Sequence, residues 1–170
     1  MRTLTLALLA TVAVAGITSA ASAADLLIDQ GPAPVVNNYS SFDWNGAYAG
    51  LYLTGQSDSV FGLGADLGVN VLLDSNLLVG VEGDLAWLNN DSYEGQIHGK
   101  LGFAVDMFAF YGILGVGYNS VTEAYAPIGV GAEVALADNL SLKAEYQYQY
   151  DFDSSSEDAH VGKIGFNWHF

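Results

Sequence analysis

Strict alternation of apolar and polar residues over twelve positions constrains the fold of this chain more than any other feature. It runs from residue 140 to 151, LSLKAEYQYQYD, with leucine, alanine and tyrosine on one parity and polar residues on the other. Successive side chains of a strand point to opposite faces, so the pattern predicts a strand. A soluble strand is about half this long, whereas a tilted strand that crosses a bilayer needs about 9–11 residues. The stretch therefore predicts a transmembrane β-strand.

The same alternation recurs along the chain. It predicts seven further strands, at residues 44–55, 60–71, 77–87, 96–105, 108–118, 128–136 and 160–170. Glycine, Asp and Asn occupy one parity of the second strand, and such a face would be costly toward lipid. We therefore expect the polar parity of each strand to face the interior and the apolar parity to face lipid.

Three aspartates mark a regular spacing of turns. A tight turn is predicted to begin at each of them: Asp74, Asp106 and Asp138. They lie 32 residues apart, and the chain ends 32 residues after the last of them. The opposite connections are longer and polar, at residues 89–94, around Thr122 to Pro127, and at residues 152–158. Short turns at one end and longer loops at the other are typical of outer-membrane barrels. The sequence predicts an all-β protein, an eight-stranded antiparallel up-and-down transmembrane β-barrel, with both termini and the short turns on the periplasmic side.

The chain divides into three predicted segments. Residues 1–23 are expected to be a cleaved signal peptide, because Arg2 precedes an apolar stretch at residues 4–17 and an A-x-A site at residues 21–23. Residues 24–42, with two prolines and no period, are expected to form an extended periplasmic segment. Residues 43–170 are expected to form the barrel.

Charge restricts the partners. Without the leader, the chain keeps three lysines against 19 acidic residues, a net charge of −16, so nucleic acid is not an expected partner.

The sequence contains no cysteine. His98, His160 and His169 lack the spacing of metal ligands, and no cofactor or metal is predicted. The expected surroundings are outer-membrane lipid and lipopolysaccharide, with the protein as a monomer.

Charged residues on the inward parity are the candidate site. All three remaining lysines and five acidic residues fall on it: Asp66, Glu82, Asp84, Lys100, Glu133, Lys143, Glu145 and Lys163. Charges in a water-poor lumen need partners, so we predict a structural network of carboxylates and lysines. Glu82 and Asp84 could alternatively act as an acid and a base, but two residues apart on one strand face is also what a salt-bridged lumen produces.

A second catalytic alternative lies in the last loop. His160 follows Ser154 to Ser156 and Glu157, which offers a base, a nucleophile and an acid for a lipid-deacylating site. The sequence does not fix the geometry of these residues. We favour the interpretation of the lumenal charges as a structural network over both catalytic alternatives, and we predict that the protein is not an enzyme.

Several segments resemble a known family. They are the leader ending ASAADL, FDWNGAYAG, LLVGVEGDLAW, GKLGFAVDMFAFYGILGVGY, GVGAEVALADNLSLKAEYQYQYDF and HVGKIGFNWHF. The chain resembles the alphaproteobacterial outer-membrane immunogenic proteins, within the OmpA-like and opacity-type β-barrel superfamily. That resemblance implies an abundant, surface-exposed barrel in the Gram-negative outer membrane. It also implies a C-terminal signal, Phe166, Trp168 and Phe170, that the outer-membrane assembly machinery reads. The outward loops are short for the family, and Lys100 stands where members often carry arginine.

The expected function is therefore a non-enzymatic barrel that supports the envelope and presents an immunogenic surface. A narrow porin-like channel for small solutes is the alternative, and it requires a continuous wet path past the lumenal charges. Binding of haemin or a host ligand, and a lipid-modifying barrel enzyme, are less favoured.

Overall fold

The computed structural model describes residues 42–73, 76–121, 123–152 and 158–170. The predicted signal peptide and all but the last residue of the predicted periplasmic segment lie outside these ranges. No helix within them is long and apolar enough to cross a membrane.

Eight antiparallel strands form a closed barrel in which each strand pairs with its neighbours in the chain and the first pairs with the last. The strands are β1 (Gly46–Gln56), β2 (Val60–Leu73), β3 (Leu77–Leu88), β4 (Tyr93–Val105), β5 (Phe108–Asn119), β6 (Glu123–Ala137), β7 (Leu140–Asp151) and β8 (Ala159–His169). A single 3₁₀ turn, Ser57–Ser59, connects β1 to β2. The predicted fold class is confirmed.

The two faces of each strand differ as the alternation predicted. Leu85 exposes 65% of its surface on the outside of the barrel, whereas its neighbour Asp84 exposes 4%. Apolar residues therefore cover the outer surface and polar residues fill the interior, which is the reverse of a soluble protein and suits a barrel surrounded by lipid. The tight turns at Asp106–Met107 and Asp138–Asn139 are present, whereas Asp74 and Ser75 lie outside the described residues.

Two predicted boundaries are wrong. β4 begins at Tyr93, not at residue 96, and β6 begins at Glu123, not at residue 128. Buried side chains at these positions continue the inward face of each strand, although the residues there have the composition of a loop. Pro127 has no N–H to donate, and pairing between β5 and β6 skips Ala126 and Pro127, yet Pro127 still pairs with Gln149 on β7. Longer strands leave short connections at this end, so only the one after β7 is clearly longer than a turn.

An apolar cluster fills the barrel at the end that carries the tight turns. Its buried members are Phe42, Trp44, Leu78, Ala104, Ala109, Tyr111, Ile113 and Ala135. The sequence predicts that Phe42 belongs to the extended segment before the barrel, but its ring lies 4.5 Å from that of Trp44 and 4.8 Å from that of His169. The Trp44 indole N–H donates to the Asp106 carbonyl at 3.2 Å. The residues just before β1 therefore close this end of the lumen.

Candidate functional site in the barrel lumen

The structure brings the eight predicted charged residues together at the middle of the lumen. None of them exposes more than 5% of its surface: Asp66, Glu82, Asp84, Lys100, Glu133, Lys143, Glu145 and Lys163. They come from β2, β3, β4, β6, β7 and β8. Closing the barrel places these strands around one axis, which is why residues far apart in the chain meet.

Glu82 is at the centre of the network. Lys100 Nζ lies 2.5 Å from its Oε2 and Lys143 Nζ lies 2.9 Å from its Oε1. The Tyr48 hydroxyl also donates to Oε2, at 2.7 Å. Each carboxylate oxygen thus accepts from at least one ammonium group, and such charge-assisted hydrogen bonds are the strong ones in a dry interior.

The other carboxylates are joined to Lys100, Lys143 or the third lysine, Lys163. Lys143 Nζ lies 2.8 Å from Asp66 Oδ2, and Lys163 Nζ lies 3.0 Å from Asp84 Oδ1. Glu145 Oε1 is 3.7 Å from Lys100 Nζ and 3.9 Å from Lys143 Nζ. Lys100 Nζ also lies 3.5 Å from Glu133 Oε1, so Lys100 and Lys143 each link three carboxylates across the lumen.

Two further tyrosines, besides Tyr48, hydrogen-bond to the carboxylates of the network. Tyr52 donates to Asp84 Oδ1 at 2.8 Å, and the Tyr111 hydroxyl lies 3.0 Å from Glu133 Oε1 and 2.9 Å from Glu145 Oε1. One hydroxyl proton serves only one of these two acceptors at a time. Lys100 Nζ also lies 4.5 Å from the centre of the Tyr111 ring, a cation–π distance. The alternation predicted that these rings face inward, but not which groups they would bind.

Each lumenal tyrosine covers a glycine on an adjacent strand. A Cβ atom at Gly64, Gly68, Gly117 or Gly131 would lie within 2.3 Å of an atom of Tyr52, Tyr48, Tyr125 or Tyr111, respectively. The rings thus occupy the space that side chains at these positions would need. Inward-facing glycine beside inward-facing tyrosine is the sequence signal that could have revealed this packing.

Two acidic residues at the loop end of the lumen are not among the predicted site residues. Glu94, assigned to a connection, exposes 1% of its surface and accepts from the Gln56 side chain at 2.9 Å. Asp151 is buried as well, at 9% exposure. Seven buried carboxyl groups therefore face three buried lysines among the described residues, an excess of four acidic groups.

Comparison with known proteins identifies the family. The model of the outer membrane protein beta-barrel domain family matches residues 6–170. The chain belongs to this family. The family indicates the Gram-negative outer membrane, and its members are mostly non-enzymatic. No curated protein sequence matches the chain.

Solved structures share the fold of this outer-membrane barrel at low identity. A de novo designed transmembrane β-barrel matches with a TM-score of 0.61 and 16% identity, covering 76% of this chain and 99% of the design. The N-terminal barrel domain of Pseudomonas aeruginosa OprF gives a TM-score of 0.55 and 13% identity over 74% and 98% of the two chains. The outer-membrane enzyme PagL gives a TM-score of 0.57 and 11% identity, covering 72% of this chain and 99% of PagL. These similarities show the fold alone.

The described residues do not bring together a nucleophile, a base and an acid for the lipid-deacylating alternative. His160 lies at the end of the barrel opposite the tight turns, where its Nδ1 is 2.6 Å from the Tyr146 hydroxyl. Residues 154–157, which would supply the nucleophile and acid, lie outside the described residues. Nearby, Asp158 accepts hydrogen bonds from the Tyr148 hydroxyl and the Asp151 backbone N–H, and these hold the pKa of Asp158 below its usual value.

The three predicted C-terminal signal residues face outward. The exposed fraction of the residue surface is 52% for Phe166, 49% for Trp168 and 76% for Phe170. The Phe170 backbone N–H donates to the Ala47 carbonyl at 3.0 Å, which fixes the chain end beside β1. The aromatic side chains thus lie on the lipid-facing side of the closing strand.

Proposed function

We propose that this outer-membrane barrel is a non-enzymatic, non-conducting structural element of the envelope that presents a surface-exposed, immunogenic loop end. The observation that carries the proposal is the burial of the side chains in the middle of the lumen. A belt of five side chains crosses the lumen there, and none of them exposes more than 5% of its surface: Tyr48, Glu82, Lys100, Lys143 and Glu145. Eight strands enclose a space that side chains can fill, so ions find no continuous wet path through such a belt.

Purified wild-type barrel is expected to give no reproducible single-channel steps in a planar bilayer. The positive control is a large porin reconstituted in the same membrane, which shows that channels are detectable. Insertion of the barrel is verified separately, by protease protection in liposomes made from the same lipid. Reproducible unitary conductance from verified, inserted barrel would replace the structural function with the narrow-channel one.

We further propose that the tight turns and both termini are periplasmic and that the other end of the barrel faces outward. Single cysteines at the exposed positions Asn90 and Glu123 are expected to react with an impermeant maleimide on intact cells. Cysteines at the exposed turn residues Asp106 and Asp138 are expected to react only after the outer membrane is permeabilised. The chain has no native cysteine to confuse the labelling. Labelling in the reverse order would invert the orientation and remove the support for a surface-exposed loop end.

Outer-membrane lipid, lipopolysaccharide and the assembly machinery are the proposed partners, and the aromatic end of the chain is the proposed assembly signal. Deletion of Phe170 is expected to reduce folded, heat-modifiable barrel in the membrane severalfold, while Phe170→Tyr keeps an aromatic terminus and retains it. Both variants should still fold in detergent, which separates assembly in the cell from the ability to fold. Normal membrane levels of the deletion variant would show that the signal lies elsewhere.

Within the family, we assign the chain to the alphaproteobacterial immunogenic proteins. The support is the resemblance through LLVGVEGDLAW and DNLSLKAEYQYQYDF. Antibodies raised against the folded barrel are expected to bind intact cells, and failure to do so would count against this assignment.

A further inference from the structure

A histidine lies between two carboxylates in the lumen without a hydrogen bond to either. His98 Nε2 is 3.5 Å from Glu82 Oε1, and His98 Nδ1 is 3.6 Å from Asp84 Oδ2. Both distances exceed those of an N–H···O hydrogen bond. Glu82 pairs with His98 across the β3–β4 ladder, so the backbone holds the three side chains in place. One oxygen or nitrogen from each of the three residues lies within 4.8 Å of the others.

Two polar atoms of this cluster are buried without a partner. They are His98 Nε2 and Asp84 Oδ2, in residues that expose 1% and 4% of their surface. A buried polar atom that lacks a hydrogen bond costs free energy, and such atoms in a native structure call for an explanation. Both atoms belong to the ligand types that a divalent transition metal binds.

Lysines contact both carboxylates that face His98, but none donates a hydrogen bond to Asp84 Oδ2. Lys163 occupies the other oxygen of Asp84, and Lys100 occupies Oε2 of Glu82. Only Glu82 Oε1 is shared, since Lys143 lies 2.9 Å from it. A carboxylate oxygen has two lone pairs and can serve both groups. The excess of acidic groups over lysines in the lumen means that a further positive charge reduces the electrostatic imbalance there.

We propose that Glu82, Asp84 and His98 bind one divalent transition-metal ion, for which Zn²⁺ is the probe, and that the ion stabilises the lumen. Tetrahedral zinc with nitrogen and oxygen ligands at about 2.0–2.1 Å places neighbouring ligand atoms about 3.3–3.4 Å apart. The 3.5 Å separation of His98 Nε2 and Glu82 Oε1 is close to this value. Asp84 Oδ2 lies 3.6 Å from the other ring nitrogen, Nδ1, so the Asp84 side chain has to move toward Nε2 when the ion binds. Because the site is sealed from solvent, the ion enters while the barrel folds. The spacing of these residues in the sequence does not predict a metal site, because the ligands come from two strands and meet only through the β3–β4 register.

The test is to refold the full barrel from urea into detergent with either ZnCl₂ or a chelator, remove unbound metal, and measure zinc content and the urea midpoint. Wild type is expected to retain about one zinc per barrel and to unfold at a higher urea concentration than the chelator-treated sample. His98→Gln is expected to lose both effects. His160→Gln, which removes a histidine at the outer rim, is the matched control and should keep both.

A cobalt measurement on the wild type covers the case in which His98→Gln fails to fold. Barrel refolded with Co²⁺ is expected to show the visible absorption bands of a low-symmetry site, and added Zn²⁺ during refolding should suppress them. Substoichiometric zinc in the wild type, equal retention by His98→Gln, or equal loss in His160→Gln would each overturn the proposal. Absence of the cobalt bands in folded wild type would overturn it as well.

Discussion

Replacing Lys143 with methionine is expected to lower the free energy of unfolding of the barrel by about 3–5 kcal/mol, the range for breaking a buried ion pair from one side. Lys143 exposes none of its surface, and its ammonium group lies 2.8 Å from Asp66 Oδ2 and 2.9 Å from Glu82 Oε1. Methionine fills a similar volume without a charge, so packing is largely kept. Asp66 then loses its only lysine within 4 Å among the described residues. Glu82 keeps Lys100.

Equilibrium urea unfolding in detergent, followed by tryptophan fluorescence, measures this loss. The control is the double variant Lys143→Met with Asp66→Asn, which removes the stranded carboxylate together with its partner. We expect the double variant to recover part of the lost stability, because the cost lies in leaving a buried charge unpaired and not in the absence of the pair itself. Unfolding curves that coincide for wild type and Lys143→Met would show that the network contributes little to stability.

The outside of the barrel was predictable because lipid imposes a simple rule on every strand. Residues such as Leu53, Leu85 and Ile164 follow from parity alone, since a polar side chain at those positions would be costly in the membrane. Parity also places Lys100 and Lys143 inside. The sequence thus predicts which side of the sheet a residue occupies without any knowledge of its neighbours.

Contacts across the lumen were not predictable in the same way. Lys143 and Asp66 are 77 residues apart, on strands that are not paired with each other, so their contact depends on how the barrel closes. Glu94 and Tyr125 were missed because polar residues at strand ends look like loop residues until a partner strand shows that the ladder continues. Phe42 was missed because nothing before β1 alternates, and only the shape of the turn end explains why its ring is buried.

Gly102 is expected to be among the glycines least tolerant of substitution, although its backbone lies in an ordinary strand. A Cβ atom there would lie 1.9 Å from the Phe110 carbonyl oxygen and 2.5 Å from the Tyr111 Cα. Both are backbone atoms of the paired strand β5, so the clash cannot be relieved by rotating a side chain. Gly102→Ala must therefore separate β4 from β5 locally, next to the Tyr111 ring that bridges Glu133 and Glu145.

We expect Gly102→Ala to lower the free energy of unfolding by about 3 kcal/mol, at the upper end of the cost of overpacking. Gly99→Ala is the matched control on the same strand, because a Cβ there comes no closer than 3.8 Å to another atom and points to the outside. That change should alter stability by no more than about 0.5 kcal/mol, as an unstrained surface substitution does. Urea unfolding of the two variants side by side measures the difference. Equal stability would mean that β4 and β5 can move apart at Gly102 without cost, and that the close approach of their backbones does not hold the Tyr111 hydroxyl beside Glu133 and Glu145.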